Sequence, residues 1–182
     1  AITSFYDIFS PYGLPKNVIV PTYGLAEHTV FVCSGGKQVE RFDKKALEAH
    51  EAVLSSSDSD SASSRLLVGC GYPGNADGVD LRIVDPDSCI QLSDGKVGEI
   101  WIHSLSKAGG YWAREDVSAE AFRVSLKESS DNEGKVKTFL RTGDLGFYHK
   151  GELFICGRIK DLLIVRGSNH YPQDIERTAE QC

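Results

Sequence analysis

The sequence predicts a mixed α/β chain: the end of an α/β body, then a β-rich subdomain, then the start of a small α+β unit. Three observations carry that expectation. Short apolar or alternating stretches bounded by turn residues recur at 66–68, 79–84, 97–103 and 136–140, the pattern of successive short strands. Near the start, the apolar run 18–20 ends at Pro21 and reads as a buried strand, with Tyr23-Gly24 just past it, where α/β folds place ligands. Near the end, Pro172 opens a helix with Ile175, Ala179 and Cys182 on one face, since proline is favoured at the first helical position.

The segments between these landmarks follow in order. Residues 1–36 read as the end of the α/β body, and 42–54 has helix-forming composition with Asp43 as the cap. Residues 55–64, SSSDSDSASS, are polar and of low complexity and are expected to be a mobile loop. The strands of 66–160 suggest a small distorted β-barrel or sheet, with Asp131-Asn132-Glu133-Gly134 as the turn before the strand at 136–140.

The chemistry concentrates between Arg141 and Glu176. Thr142-Gly143-Asp144 is expected in the turn that ends the strand at 136–140, where glycine relieves crowding and a carboxylate faces a ligand. Such a carboxylate can accept two hydrogen bonds from a ribose diol. Phe147-Tyr148 and Leu153-Phe154-Ile155 flank His149-Lys150-Gly151 as a hairpin. Gly157-Arg158 then delivers a guanidinium just beyond the second strand, a planar fork suited to phosphate or sugar oxygens. Another strand follows at 162–165, and residues 167–170 break it. Taken singly, Asp144 is more often a turn former and Arg158 a surface ion-pair partner. Their ordered combination gives them weight.

That combination resembles a known family. Thr142-Gly143-Asp144, Gly157-Arg158 and Lys160-Asp161 look like the adenylate-forming superfamily of acyl-activating ligases, and Arg166 to Glu176, RGSNHYPQDIE, resembles its fatty acyl-AMP ligase branch. Two upstream segments agree in order. Pro21-Thr22-Tyr23-Gly24-Leu25-Ala26-Glu27 resembles the adenine and metal motif, and Gly98-Glu99-Ile100-Trp101-Ile102, continuing to Gly110-Tyr111-Trp112, resembles a structural strand-and-turn motif.

The resemblance implies a fold, a division of the chain and a set of roles. The fold is part of an adenylate-forming enzyme: 1–36 end the body, 37–65 hold a branch-specific insertion, 66–160 form the β-rich subdomain, and 161–182 are the hinge and the start of the C-terminal lid. In that family the insertion limits lid movement and favours acyl-AMP release or transfer to a carrier protein over thioester formation with CoA. ATP and Mg²⁺ are the implied cofactors, and the partners are a fatty acid and an acyl carrier protein or CoA. Tyr23 would stack on adenine beside Gly24, Glu27 would hold Mg²⁺, Asp144 would bind the ribose hydroxyls, Arg158 would touch ribose or phosphate, and Asp161 matches the hinge. Glu27, Arg158 and Asp161 are thus the implied catalytic residues.

Two positions depart from the family pattern. Ala26 stands where relatives have a threonine that touches the α-phosphate, a form that fatty acyl-AMP ligases tend to show. Ser104-Leu105 stands where relatives often have Gly-Pro. The phosphate-binding loop and the catalytic lysine of the family are expected outside this chain, so the chain alone is expected to lack adenylation activity.

Composition excludes several other classes. A net charge of −6 and an acidic pI argue against a nucleic-acid backbone binder, which carries a basic stripe. No apolar stretch reaches the eighteen or so residues of a membrane span, which points to a soluble cytoplasmic protein. Cys33, Cys70, Cys89, Cys156 and Cys182 are scattered, and His28, His50, His103, His149 and His170 have no metal-ligand spacing. Gly69-Cys70-Gly71-Tyr72-Pro73-Gly74 fits a dinucleotide fingerprint, but turn residues and a strand follow it where that loop needs a helix. The remaining alternatives are an acyl-CoA synthetase, an amino-acid-selecting adenylation domain, and a non-catalytic nucleotide- or acyl-binding module. Ala26 and the NHYPQDIE segment weigh against the amino-acid reading, and intact Tyr23, Glu27, Asp144 and Arg158 weigh against degeneration.

Overall fold

The computed structural model describes residues 2–56, 63–73, 78–127, 136–165 and 168–180. The expected turn at Asp131-Asn132-Glu133-Gly134, most of the Ser/Asp tract, and Gly74, Arg166, Gly167 and Cys182 lie outside the described residues. Helix α1 (Ile2–Phe9) leads to strands β1 (Thr22–Tyr23) and β2 (Cys33–Ser34), which pair antiparallel. Strand β3 (Val39–Asp43), helix α2 (Lys44–Glu48) and strand β4 (Ser64–Val68) follow, and β3 pairs antiparallel with β4.

The central sheet is four-stranded and antiparallel throughout. Its order is sequential: β5 (Asp80–Val84), β6 (Gly98–His103), β7 (Leu140–His149) and β8 (Glu152–Arg158). Among the described residues the sheets stay open, so of the expected barrel or sheet it is a sheet that forms, with the β3–β4 pair against its β8 edge through a bridge between Gly69 and Phe154. Helix α3 (Glu115–Phe122) packs near β7. The last elements are β9 (Leu163–Val165), β10 (Ser168–His170) and α4 (Pro172–Ala179), with proline opening the helix as expected.

Two apolar layers hold the sheet. On one face Phe42, Phe147 and Phe154 meet with ring centroids 4.9–5.5 Å apart, joining β3 to the β7–β8 hairpin, with Leu145, Cys156 and Tyr171 in the same cluster. On the other, Ile83, Ile100, Ile102 and Leu153 pack with Tyr23, Val32 and Cys33. Strand β6 is buried along almost its whole length, as a central strand covered on both faces must be. The hairpin turns on Lys150-Gly151, both at positive φ (49° and 77°), the two-residue geometry that matches strand twist.

Several expectations shift. Residues 18–20 are not a buried strand: Val18 and Val20 are 50% and 53% exposed, and the strand is Thr22–Tyr23, which alone finds a partner. The helix expected over 42–54 contracts to Lys44–Glu48, because Phe42 belongs to β3, His50 turns left-handed (φ 61°), and Val53 and Leu54 return to bond alongside β3. Asp43 does cap it, accepting from the Ala46 N–H at 2.8 Å. Residues 136–138 are not strand, and β7 begins only at Leu140. Ser64, expected in the loop, is the buried first residue of β4. The expected break at 167–170 contains β10, which pairs back on β9.

The rejected glycine fingerprint has a packing role. A Cβ on Gly69 would lie 2.3 Å from Glu152 Oε1, and one on Gly71 would lie 1.9 Å from the Ser34 carbonyl. Glu152 is fully buried there, accepting from the backbone N–H groups of Lys37 (2.8 Å) and Gln38 (3.3 Å).

Candidate nucleotide site

The Thr142-Gly143-Asp144 segment lies inside β7 and not in the turn at a strand's end. Glu99 of β6 pairs with Leu145 and Trp101 with Arg141, so three residues, Thr142, Gly143 and Asp144, stand opposite Ile100 alone. This bulge re-aims the Asp144 side chain while the ladder continues on either side. Gly143 takes φ 72°, a conformation that a side chain would strain.

Glu99 builds the bulge. Its carboxylate is 2% exposed; Oε1 accepts from the Gly143 N–H at 3.1 Å, and Oε2 accepts from Trp101 Nε1 and from Arg141 Nε, each at 2.9 Å. Thr142 donates its hydroxyl to the Ile100 carbonyl at 2.8 Å and accepts from the Asp144 N–H at 3.0 Å. Sequence reasoning placed Glu99 in a structural motif without a role. The signal available was its position, a lone carboxylate inside an otherwise apolar strand.

Asp144 is the meeting point of three segments. Its Oδ2 accepts from the Tyr23 phenol at 2.7 Å, and its Oδ1 accepts from Arg158 Nε at 2.8 Å. Arg158, expected just past the strand, is the last residue of β8 and pairs in register with Asp144. Asp144 is buried, whereas the Arg158 side chain is 54% exposed and free to reach outward. Burial first, then the adjacent Asp144 charge, pushes the Tyr23 phenol far above its ordinary range, so it stays a donor. Tyr23 is 8% exposed and packs in the core.

Glu27 stands apart from this triad. It lies in a 3₁₀ turn, Ala26–His28, and its Oε1 accepts from the Tyr111 hydroxyl at 2.9 Å; among the described residues Oε2 has no partner. Burial, then that bond, raises the Tyr111 phenol. Gly24 is required by close approach, since a Cβ would fall 1.5 Å from the Val30 carbonyl. Asp161 is exposed in the 3₁₀ turn Ile159–Asp161 directly after Arg158. Among the described residues no group of three or more His, Cys, Asp or Glu is placed to hold a metal ion, and no helix is long and apolar enough to cross a membrane.

Comparison with known proteins places this geometry. No protein-family model matches the chain. The medium-chain-fatty-acid–[acyl-carrier-protein] ligase JamA of Moorena producens is 41% identical over 184 residues, 99% of this chain and 30% of JamA. The long-chain-fatty-acid–AMP ligase FadD32 of Mycobacterium marinum is 40% identical over 192 residues, 100% of this chain and 30% of FadD32. The crystal structure of a fatty acyl-adenylate ligase from L. pneumophila, in complex with acyl adenylate and pyrophosphate, matches with a TM-score of 0.76 and 36% identity over 100% of this chain and 30% of that one. The chain therefore spans about 30% of the length of the relatives it matches. Identity near 40% to the two ligases and 36% to the solved one, along nearly the whole of this chain and with the fold shared, makes the chain similar to about 30% of each of these fatty-acid-activating ligases.

Proposed function

We propose that the chain is the nucleotide-facing part of a fatty acyl-AMP ligase. In that reaction a fatty acid carboxylate oxygen attacks the α-phosphorus of ATP, the bond to the β-phosphate oxygen breaks, and acyl-AMP and pyrophosphate form. The observation that carries the reading is Asp144, buried in a β-bulge and oriented by Tyr23 and Arg158 from distant parts of the chain. A carboxylate offers about four lone-pair positions, of which Tyr23 and Arg158 take two. The remaining pair suits a ribose diol. Tyr23 orients the carboxylate and is read as the ring that stacks on adenine beside Gly24, and Arg158 reaches ribose or phosphate from its exposed position. Positioning and charge neutralisation dominate such a step.

The residues fit Mg²⁺. One carboxylate oxygen of Glu27 is held by Tyr111 and the other is unpartnered among the described residues, in a region without a multidentate cluster. A single carboxylate beside substrate phosphates is the usual protein share of a Mg²⁺ site. When bound, the ion neutralises phosphate charge; Glu27 holds and orients it.

The acceptor we favour is an acyl carrier protein, with CoA as the alternative. Residues 37–65 serve as the branch insertion, and its helix α2 is bound to the elements after the Asp161 hinge. Asn169 Nδ2 donates to the Glu48 carbonyl at 3.1 Å, His170 Nδ1 lies 3.1 Å from Glu48 Oε1, and Lys44 pairs with Asp174 at 3.7 Å. Contacts of this kind restrain a lid that must swing for thioester formation with CoA. Free cysteines, among the described residues, suit a reducing cytoplasmic setting.

The test is ATP–pyrophosphate exchange by the full-length protein with medium- and long-chain fatty acids. Asp144→Ala should weaken ATP binding by at least about tenfold, the effect of losing charge-assisted hydrogen bonds. Unchanged ATP binding would remove Asp144 from the site. Absence of exchange with every fatty acid, while amino acids support it, would move the substrate class.

A further inference from the structure

We propose that His28 and Ser104 are a positioning pair that sets the turn carrying Glu27; the inference rests on the reading of Glu27 as the Mg²⁺-holding carboxylate. The turn is one the backbone resists. After the 3₁₀ segment Ala26–His28 the chain passes through two successive β-branched residues at positive φ, Thr29 (52°) and Val30 (77°). Such residues persist there only where the surroundings over-determine them. The Val30 carbonyl is folded so closely over Gly24 that no Cβ fits between.

The His28 side chain supplies the determination. It is 1% exposed and uses both ring nitrogens: Nδ1 lies 2.7 Å from the Phe31 carbonyl, and Nε2 contacts Ser104 Oγ. A carbonyl only accepts, so Nδ1 carries the proton, and in the neutral ring Nε2 accepts from the serine hydroxyl. Ser104 Oγ in turn accepts from the Ser106 N–H at 3.0 Å. Every donor in this run of hydrogen bonds has an acceptor. Two further bonds fasten the same turn to the same stretch: the Ala108 N–H donates to the Glu27 carbonyl at 2.9 Å, and the Tyr111 hydroxyl donates to Glu27 Oε1 at 2.9 Å. The segment from Ser104 to Tyr111 is thus a rail against which Glu27 is held, and His28 is the bolt.

The experiment uses the full-length protein with Ser104→Ala, Ser104→Thr and His28→Asn, the last keeping a donor toward Phe31 while withdrawing the Nε2 acceptor. Amide hydrogen exchange of the peptide covering 24–31 should quicken about fivefold in Ser104→Ala, the effect of roughly one lost hydrogen bond. The Mg²⁺ concentration for half-maximal acyl-AMP formation should rise by a similar factor while the fatty acid KM stays put, Ser104→Thr should restore both, and Ser104→Ala with His28→Asn should do no more than either alone. Unchanged exchange and Mg²⁺ dependence in Ser104→Ala overturns the inference, as do additive effects in the double variant. Glu27→Gln separates the two readings. If it leaves activity intact, the role of Glu27 falls, and the exchange measurement still judges the bolt.

Discussion

Replacing Glu99 by alanine tests the origin of the Asp144 geometry. The carboxylate is 2% exposed and accepts from Gly143, Trp101 and Arg141. Its loss leaves the Gly143 N–H and the Trp101 indole N–H without acceptors, at about 1–3 kcal/mol each. The Arg141 side chain, 32% exposed, can turn to water, so its share is discounted. The sum is about 2–6 kcal/mol, which at ~2–4 °C per kcal/mol for a chain of this size predicts a fall in Tm of about 4–24 °C. Thermal unfolding followed by tryptophan fluorescence reads the change directly, because Trp101 is fully buried and Trp112 is 96% exposed in the native fold. Glu99→Gln keeps an acceptor and should lose about half as much, on the same hydrogen-bond magnitudes. ATP affinity should fall with stability in both variants, since the bulge that aims Asp144 relaxes. Melting within about 1 °C of the unaltered protein, or full ATP affinity in a destabilised Glu99→Ala, would refute the link between this carboxylate and the site.

Tyr23→Phe keeps the ring but removes the 2.7 Å bond to Asp144, and ATP affinity measured calorimetrically should drop about three- to tenfold; unchanged affinity would show that the phenol does not orient the carboxylate. Burial pushes the Cys33 and Cys156 thiols up to about 12 and Cys70 to about 11, against 9.0 for an unperturbed thiol. Folded values above unfolded ones mean a contribution that is whole below the unfolded value and lost as pH rises through the folded one. Urea midpoints should therefore be insensitive to these thiols up to about pH 9 and fall between about 9 and 12; a midpoint rising across that window would contradict their burial.

Local signals in the sequence carried most of what survives in the structure. Asp43 capped a helix, Pro172 opened one, and His149-Lys150-Gly151 made the hairpin, because each is a backbone rule acting within a few residues. Extents fared worse where tertiary pairing decided them. The segment after Glu48 had helical composition but returned to bond with β3, and residues 18–20 were apolar but lacked a paired neighbour. The site shows the same division. Asp144 and Arg158 were legible as residue types in order, whereas their direct pairing required the register of β7 on β8, and the bulge required Glu99 from β6. The Glu27–Tyr111 and His28–Ser104 contacts span 84 and 76 residues, a separation that no local pattern encodes.

The pairing of Arg158 with Asp144 also bears on how the ribose edge and the hinge communicate under the proposed function. Arg158 is the last residue of β8, and the chain passes from it directly into the 3₁₀ turn that ends at Asp161. Asp144 is anchored on three sides, by the bulge, by Tyr23 and by the core beneath it, and cannot follow a movement at the hinge. The Arg158 backbone is tied in the same way, by its ladder pairing with Asp144, whereas its half-exposed side chain is held, among the described residues, by the 2.8 Å bond to Asp144. Under the proposed function, a lid turning about Asp161 would change what stands beside the guanidinium, and a nucleotide sharing Asp144 with it would feel that change. Nucleotide binding and lid orientation would then be coupled through one side chain, and such coupling is reciprocal: whatever holds the lid in the orientation seen, including the α2 contacts at Glu48 and Lys44, would also change the grip on the ribose.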